Sequence, residues 1–199
     1  MTEEKKYNDP IVLGSGRIYV DVYDGITVPN VADIEKDEKE LGNISGGATL
    51  EAAETFYTAK DDLDKIRRKK MTGDEYTLST GIMTINAGVL EKTLSTVNVS
   101  ENTERGTKEL KLGGVSHYKE QRYIFLFVNE DKDVRIMLLG SNEAGLTLQF
   151  MKDKETVINQ KIVGEPFPDG HKVIIELVFR KWRHNEKQCR FYPSQQANV

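Results

Sequence analysis

The chain has little of what locks or interrupts a fold. One cysteine, Cys189, in 199 residues excludes an internal disulfide and fits folding in a reducing compartment. Five prolines occur, Pro10, Pro29, Pro166, Pro168 and Pro193, so the span from Asn30 to Glu165 lacks the residue that breaks a hydrogen-bonded ladder. The longest apolar run, Tyr123 to Val128, is strand length and far short of a membrane span. Met1 to Lys6 has no apolar stretch behind it, so no secretory signal is expected. Neither charge sign dominates: 28 Lys and Arg against 32 Asp and Glu give a formal net charge of -4. That excludes an overall basic field drawing in nucleic acid by counterion release. A soluble protein made in a cytoplasm is expected, large enough for one domain with a real core.

Catalytic and ligating residues are sparse too. His117, His171 and His184 are scattered, and none stands beside a serine or an acid at the spacing of a triad or metal site. His184 with Cys189 supplies too few ligands for structural zinc. Gly14-Ser15-Gly16 lacks the flanking strand and helix of a phosphate-binding loop and reads as a tight turn. The acidic runs Asp61, Asp62, Asp64 and Asp131, Asp133 lack the glycine and distal glutamate of a calcium loop, and turn chemistry accounts for them. These patterns point to no enzyme, no metal and no cofactor.

What the chain does have is alternation. Ser45, Gly46 and Gly47 break the chain, and from Ala48 to Thr58 one face carries Leu50, Ala52, Glu54 and Phe56, the other Thr49, Glu51, Ala53, Thr55 and Tyr57. The return from Tyr76 splits into Leu78, Thr80, Ile82 and Thr77, Ser79, Gly81. This predicts one long β-hairpin, 48–84, with no proline to blunt its edges. Arg17 to Tyr23 reads as a half-buried strand, with Ile18, Val20 and Val22 on one face and Tyr19, Asp21 and Tyr23 on the other. Asp33 to Glu40 reads as a solvated loop or a single helical turn. Asn86 is placed to cap a short helix, Ala87 to Ser95, docked through Leu90 and Leu94. Further strands are expected at Val97–Val99, Glu109–Leu112, Arg122–Val128, Val134–Leu139, Leu146–Met151 and Val173–Phe179. The fold class is mainly β: an antiparallel β-sandwich or barrel with one short flanking α-helix.

At the hairpin tip, Asp61, Asp62 and Asp64 precede Arg67, Arg68, Lys69 and Lys70. Such a tip is either a solvated turn or a contact with a neighbouring copy, in which weak exposed pairs of roughly 0–1 kcal/mol each set register more than affinity. The acidic 33–40 loop and the basic end, with Arg180, Lys181, Arg183, Lys187 and Arg190, are opposite patches that suit head-to-tail contact between copies.

Together these segments resemble the tail tube, or major tail, proteins of long-tailed phages. The carriers are Ile11 to Tyr19, Leu41 to Leu50, Thr77 to Asn86, Phe150 to Ile158 and Phe167-Pro168-Asp169-Gly170. The resemblance covers roughly residues 10–180 and implies a tail-tube β-sandwich domain, 11–180, with hairpin 48–84, after an N-terminal arm, 1–10; the basic C-terminal extension, 181–199, is read from its charge and lies outside the pattern. It implies hexameric rings whose hairpins join into one inner β-barrel, stacked into a virion tail tube that conducts DNA without binding it specifically, assembled in the bacterial host cytoplasm. The implied partners are other copies, a tape measure protein, a tail terminator and distal tail or baseplate proteins, with no membrane. Thr49, Glu51, Thr55, Thr77 and Ser79 would line the bore. Asp61, Asp62, Asp64, Arg67, Arg68, Lys69 and Lys70 would meet the next ring. Tubes of contractile tails, tailocins or secretion machines share this pattern. A carbohydrate-binding β-sandwich would need an aromatic platform, and the single tryptophan, Trp182, stands in the basic end.

Overall fold

A computed structural model describes residues 15–61, 65 and 67–178. The N-terminal arm, Ile11 to Gly14, Asp62, Asp64, Trp182, His184, Cys189 and the basic extension lie outside the described residues.

Strands β1 (Gly16–Val22), β2 (Glu40–Lys60), β3 (Arg67–Ile82), β8 (Ile158–Glu165), β7 (Val134–Asn142) and β6 (Tyr123–Asn129) pair in that order, every pair antiparallel. Pairing of β6 with both β1 and β7 closes the sheet into a six-stranded barrel. Strand β9 (Val173–Leu177) continues along the β7 edge beyond the end of β8. A separate two-stranded ribbon, β4 (Val97–Asn102) with β5 (Thr107–Leu112), follows helix α2 (Ala87–Thr93).

Ile18, Val20, Ile44, Leu78, Ile82, Phe125, Phe127, Leu138, Ile158 and Ile162, from all six barrel strands, form one buried cluster, which is the barrel interior. Val89 and Leu90 bring α2 into that cluster. Asn86 caps the helix as expected, accepting from the Val89 N–H at 2.8 Å. Buried Thr93 donates to the Val89 carbonyl and accepts from Gln160 on β8, so the last turn is tied to the barrel wall.

A second cluster lies outside the barrel. Tyr19, Tyr23, Ile124, Leu126, Val128, Met137 and Leu139 are covered by Val31 and Ile34 of helix α1 (Val31–Ile34), and by Phe167. Strands roofed on both faces cannot alternate, which explains the unbroken apolar run at 123–128. The same roof corrects the expectation of a half-buried β1: Tyr19 and Tyr23 are buried under it, while Val22, on the opposite face with Ile18 and Val20, is 55% exposed at the strand's end.

Three further expectations change. Leu146–Met151 is not a strand and makes only one isolated bridge, Met151 to Lys154, with Phe150 77% exposed. The β3 and β7 edges it would need are taken by 158–165. Ser45-Gly46-Gly47 does not break the chain: Gly46 and Gly47, at φ 77° and 76°, form a bulge inside one continuous strand. The strands of the hairpin also run further toward its tip than expected, because the basic run 67–70 belongs to the β3 ladder opposite Lys60, Ala59, Thr58 and Tyr57, and not to the turn.

Candidate assembly interface

The β2–β3 hairpin serves two purposes along its length. At its base, Thr77 to Ile82 pair with β8 while Leu78 sits at 0% exposure in the barrel interior. Beyond Glu51 and Thr77 the two strands pair only with each other, and the segments 52–59 and 68–76 carry no third or fourth strand among the described residues. At about 3.4 Å per residue, Ala52 to Lys60 carries the ribbon roughly 27 Å past the barrel. Every residue from Glu51 to Lys60 and from Arg67 to Thr72 is exposed.

Register sorts the side chains. The pairs Thr49–Ser79, Glu51–Thr77, Ala53–Glu75, Thr55–Gly73 and Tyr57–Lys70 share one face. All five bore candidates therefore stand on that face, as alternation implies. Thr49, Glu51 and Thr55 are exposed, Ser79 is half-buried, and Thr77 is only 5% exposed, inside the packed base.

The opposite face carries Leu50–Leu78, Ala52–Tyr76, Glu54–Asp74, Phe56–Met71 and Thr58–Lys69. A second bulge makes this possible. Thr55 is opposite Gly73 but Phe56 is opposite Met71, leaving Thr72 as the extra residue, its hydroxyl donating to the Thr55 carbonyl. Without that residue Met71 would turn to the polar face. With it, Phe56 and Met71 form an exposed apolar pair, and the Lys69 ammonium lies 3.6 Å from the Phe56 ring centroid. Gly73 inside a strand pattern was the one sequence signal for this bulge.

Charge is polarised along the ribbon. Glu51, Glu54, Asp74 and Glu75 stand near the barrel, whereas Arg67, Arg68, Lys69 and Lys70 occupy the distal end with Asp61. Glu54 does not reach the distal bases: its cross-strand neighbour is Asp74, whose carboxylate is held by Lys172 Nζ at 3.2 Å.

The two described histidines lie in separate turns. His117 lies in an exposed 3-10 turn, and His171 in a β8–β9 turn beside Asp169, Nδ1 to Oδ2 3.0 Å. Accepting from the His171 backbone N–H, with further help from the imidazole, holds the Asp169 carboxyl below its ordinary range. Among the described residues, no three His, Cys, Asp or Glu side chains converge as a metal site, and no helix is long and apolar enough to cross a membrane.

No protein-family model matches the sequence, and no curated protein does. Among solved structures, the chain is similar to the tube-terminating cap of the anti-feeding prophage, at 10% identity and a TM-score of 0.41, over 88% of this chain and 100% of that one. At that TM-score the architecture and the functional reading both stand on the strand pairing described above.

Proposed function

We propose that this chain is a structural subunit that polymerises through the β2–β3 ribbon, with copies pairing ribbon edge to ribbon edge around a closed ring. The observation that carries this reading is the ribbon itself: a long, proline-free, two-stranded extension exposed on both faces and, among the described residues, unpaired by strands on both edges. A lone two-stranded ribbon is marginally stable in water, and open edges are an aggregation hazard that proteins normally blunt. Pairing with identical copies removes both liabilities, and a closed ring leaves no edge.

The resemblance to tail tube proteins extends the proposal. Six copies would form a ring, rings would stack into the tail tube of a virion, and Thr49, Glu51 and Thr55 would face a bore through which DNA passes. Carboxylates and hydroxyls repeated around that bore repel or ignore phosphate, so DNA slides without sticking. Copies of itself, a tape measure protein, a terminator and distal tail or baseplate proteins would be its partners, and the proposal assigns it no reaction and no cofactor.

Negative-stain microscopy of the purified chain over a range of concentrations tests this. Rings or tubes are expected. A particle that stays a lone monomer at the highest concentration sinks the proposal.

A further inference from the structure

The β3 edge is not uniformly open. The Met83 N–H donates to the Asn43 carbonyl on β2, so odd-numbered residues of β3 as far as Gly73 turn their backbone groups toward β2 and even-numbered ones turn away. The Tyr76 carbonyl confirms this, since it lies against Gly164 of β8, 3.2 Å from where a Cβ would sit. Asp74 is the next outward-facing residue, and the first beyond the reach of β8. Its carbonyl is not left open. Lys172 Nζ donates to the Asp74 carbonyl and also reaches the Asp74 carboxylate at 3.2 Å.

Lys172 is set for this role by its own segment. Phe167 is buried in the outer cluster, and the 167–171 turn is closed by the Phe167 N–H to the His171 carbonyl, 2.7 Å, and the Gly170 N–H to the Phe167 carbonyl, 2.8 Å. The lysine side chain is 22% exposed, so it is held against the ribbon and does not wander in solvent. It stands where the ribbon parts from the barrel, between the end of β8 and the start of β9.

We infer that Lys172 is the register stop for pairing between copies: it closes the Asp74 position of the β3 edge, so the β2 strand of a second copy adds only distal to Asp74, along Met71 to Arg68. This rests on the proposal that ribbons pair edge to edge and adds where that pairing begins. A ribbon needs such a stop. Its side chains repeat every two residues, so a two-residue slip keeps each face correct while shifting every cross-copy contact. The bulges at Gly46-Gly47 and Thr72 set register within one copy only.

Disulfide mapping tests it in a Cys189→Ser background. One batch carries Met71→Cys; a second, size-tagged batch carries a cysteine at Ala52, Glu54, Phe56 or Thr58, and the two are mixed before assembly. Heterodimer disulfides then report only contacts between copies. With Lys172 present, one β2 position should dominate. Lys172→Met should lower that disulfide roughly two-fold or more, with the yield moving to the position two residues away, and Lys172→Arg should restore the single position. The same single position in Lys172→Met overturns the inference. Lys172→Gln serves if the methionine variant does not fold. No heterodimer at any position with Lys172 in place overturns the edge-pairing proposal itself, and the register stop with it.

Discussion

Glu35 shows how single residues hold the outer layer to the barrel. Its side chain is 12% exposed and accepts from Lys132 Nζ at 2.7 Å and from Arg135 Nε at 3.0 Å, pinning the segment after α1 to the β6–β7 turn. Burial alone would raise its pKa, but the hydrogen bonds and charges of Lys132 and Arg135 outweigh burial and hold it below the ordinary glutamate value of 4.5. A carboxyl depressed in the folded state adds stability above its unfolded pKa and loses it as pH falls through the folded one. Acid should therefore weaken the protein as pH drops from about the ordinary glutamate value through the depressed one. Glu35→Gln should cost roughly 1–3 kcal/mol at neutral pH, because two cations lose their anion. It should also flatten the acid limb. Urea unfolding at a series of pH values measures both, and an unchanged acid limb in Glu35→Gln removes Glu35 from that role.

At the scale of elements, the molecule divides into parts that are stable alone and parts that are not. The barrel strands bury side chains on one or both faces, while the distal ribbon buries almost nothing. In a dilute monomer, edge-facing amides of 52–59 and 68–74 should exchange near the rate of an open chain, and those of β6 should exchange only on global unfolding. Assembly should slow the ribbon amides by on the order of a hundred-fold and leave β6 unchanged. Hydrogen exchange followed by mass spectrometry compares the two states. Equal ribbon exchange in monomer and assembly would show that some other surface joins the copies. The two bulges belong to this scale as well: Gly46-Gly47 lets a strand shared with the barrel become a strand of the ribbon, and Thr72 keeps Met71 beside Phe56.

At the scale of the whole molecule, the two faces of the ribbon meet different surroundings in the proposed ring. The face of Leu50 and Leu78 continues from the barrel interior, so the face of Glu51 and Thr55 is the one turned away from the subunit body. Glu51→Lys should leave folding and ring formation intact, because Glu51 is exposed and outside both clusters. Repeated around a bore, that lysine would bind passing phosphates and slow DNA release. Ejection from particles assembled with the variant, followed by dye fluorescence, checks this. A wild-type rate takes Glu51 out of the bore.

Local chemistry settled much of this in advance. Alternation from Ala48 to Thr58 and from Tyr76 to Ile82 named both faces of the hairpin, because strand period depends only on neighbouring residues. Asn86 named the start of α2 for the same reason. Tertiary structure alone decided the rest. Whether Tyr19 is buried depends on Val31 and Ile34 folding over it; whether 146–151 or 158–165 becomes a strand depends on which reaches the open edges of β3 and β7. Lys172 reads in the sequence as one more surface charge. Only the pairing of β8 with β3 brings it to Asp74, 98 residues away, since a hydrogen bond across that separation is set by how the strands are ordered and not by any local pattern.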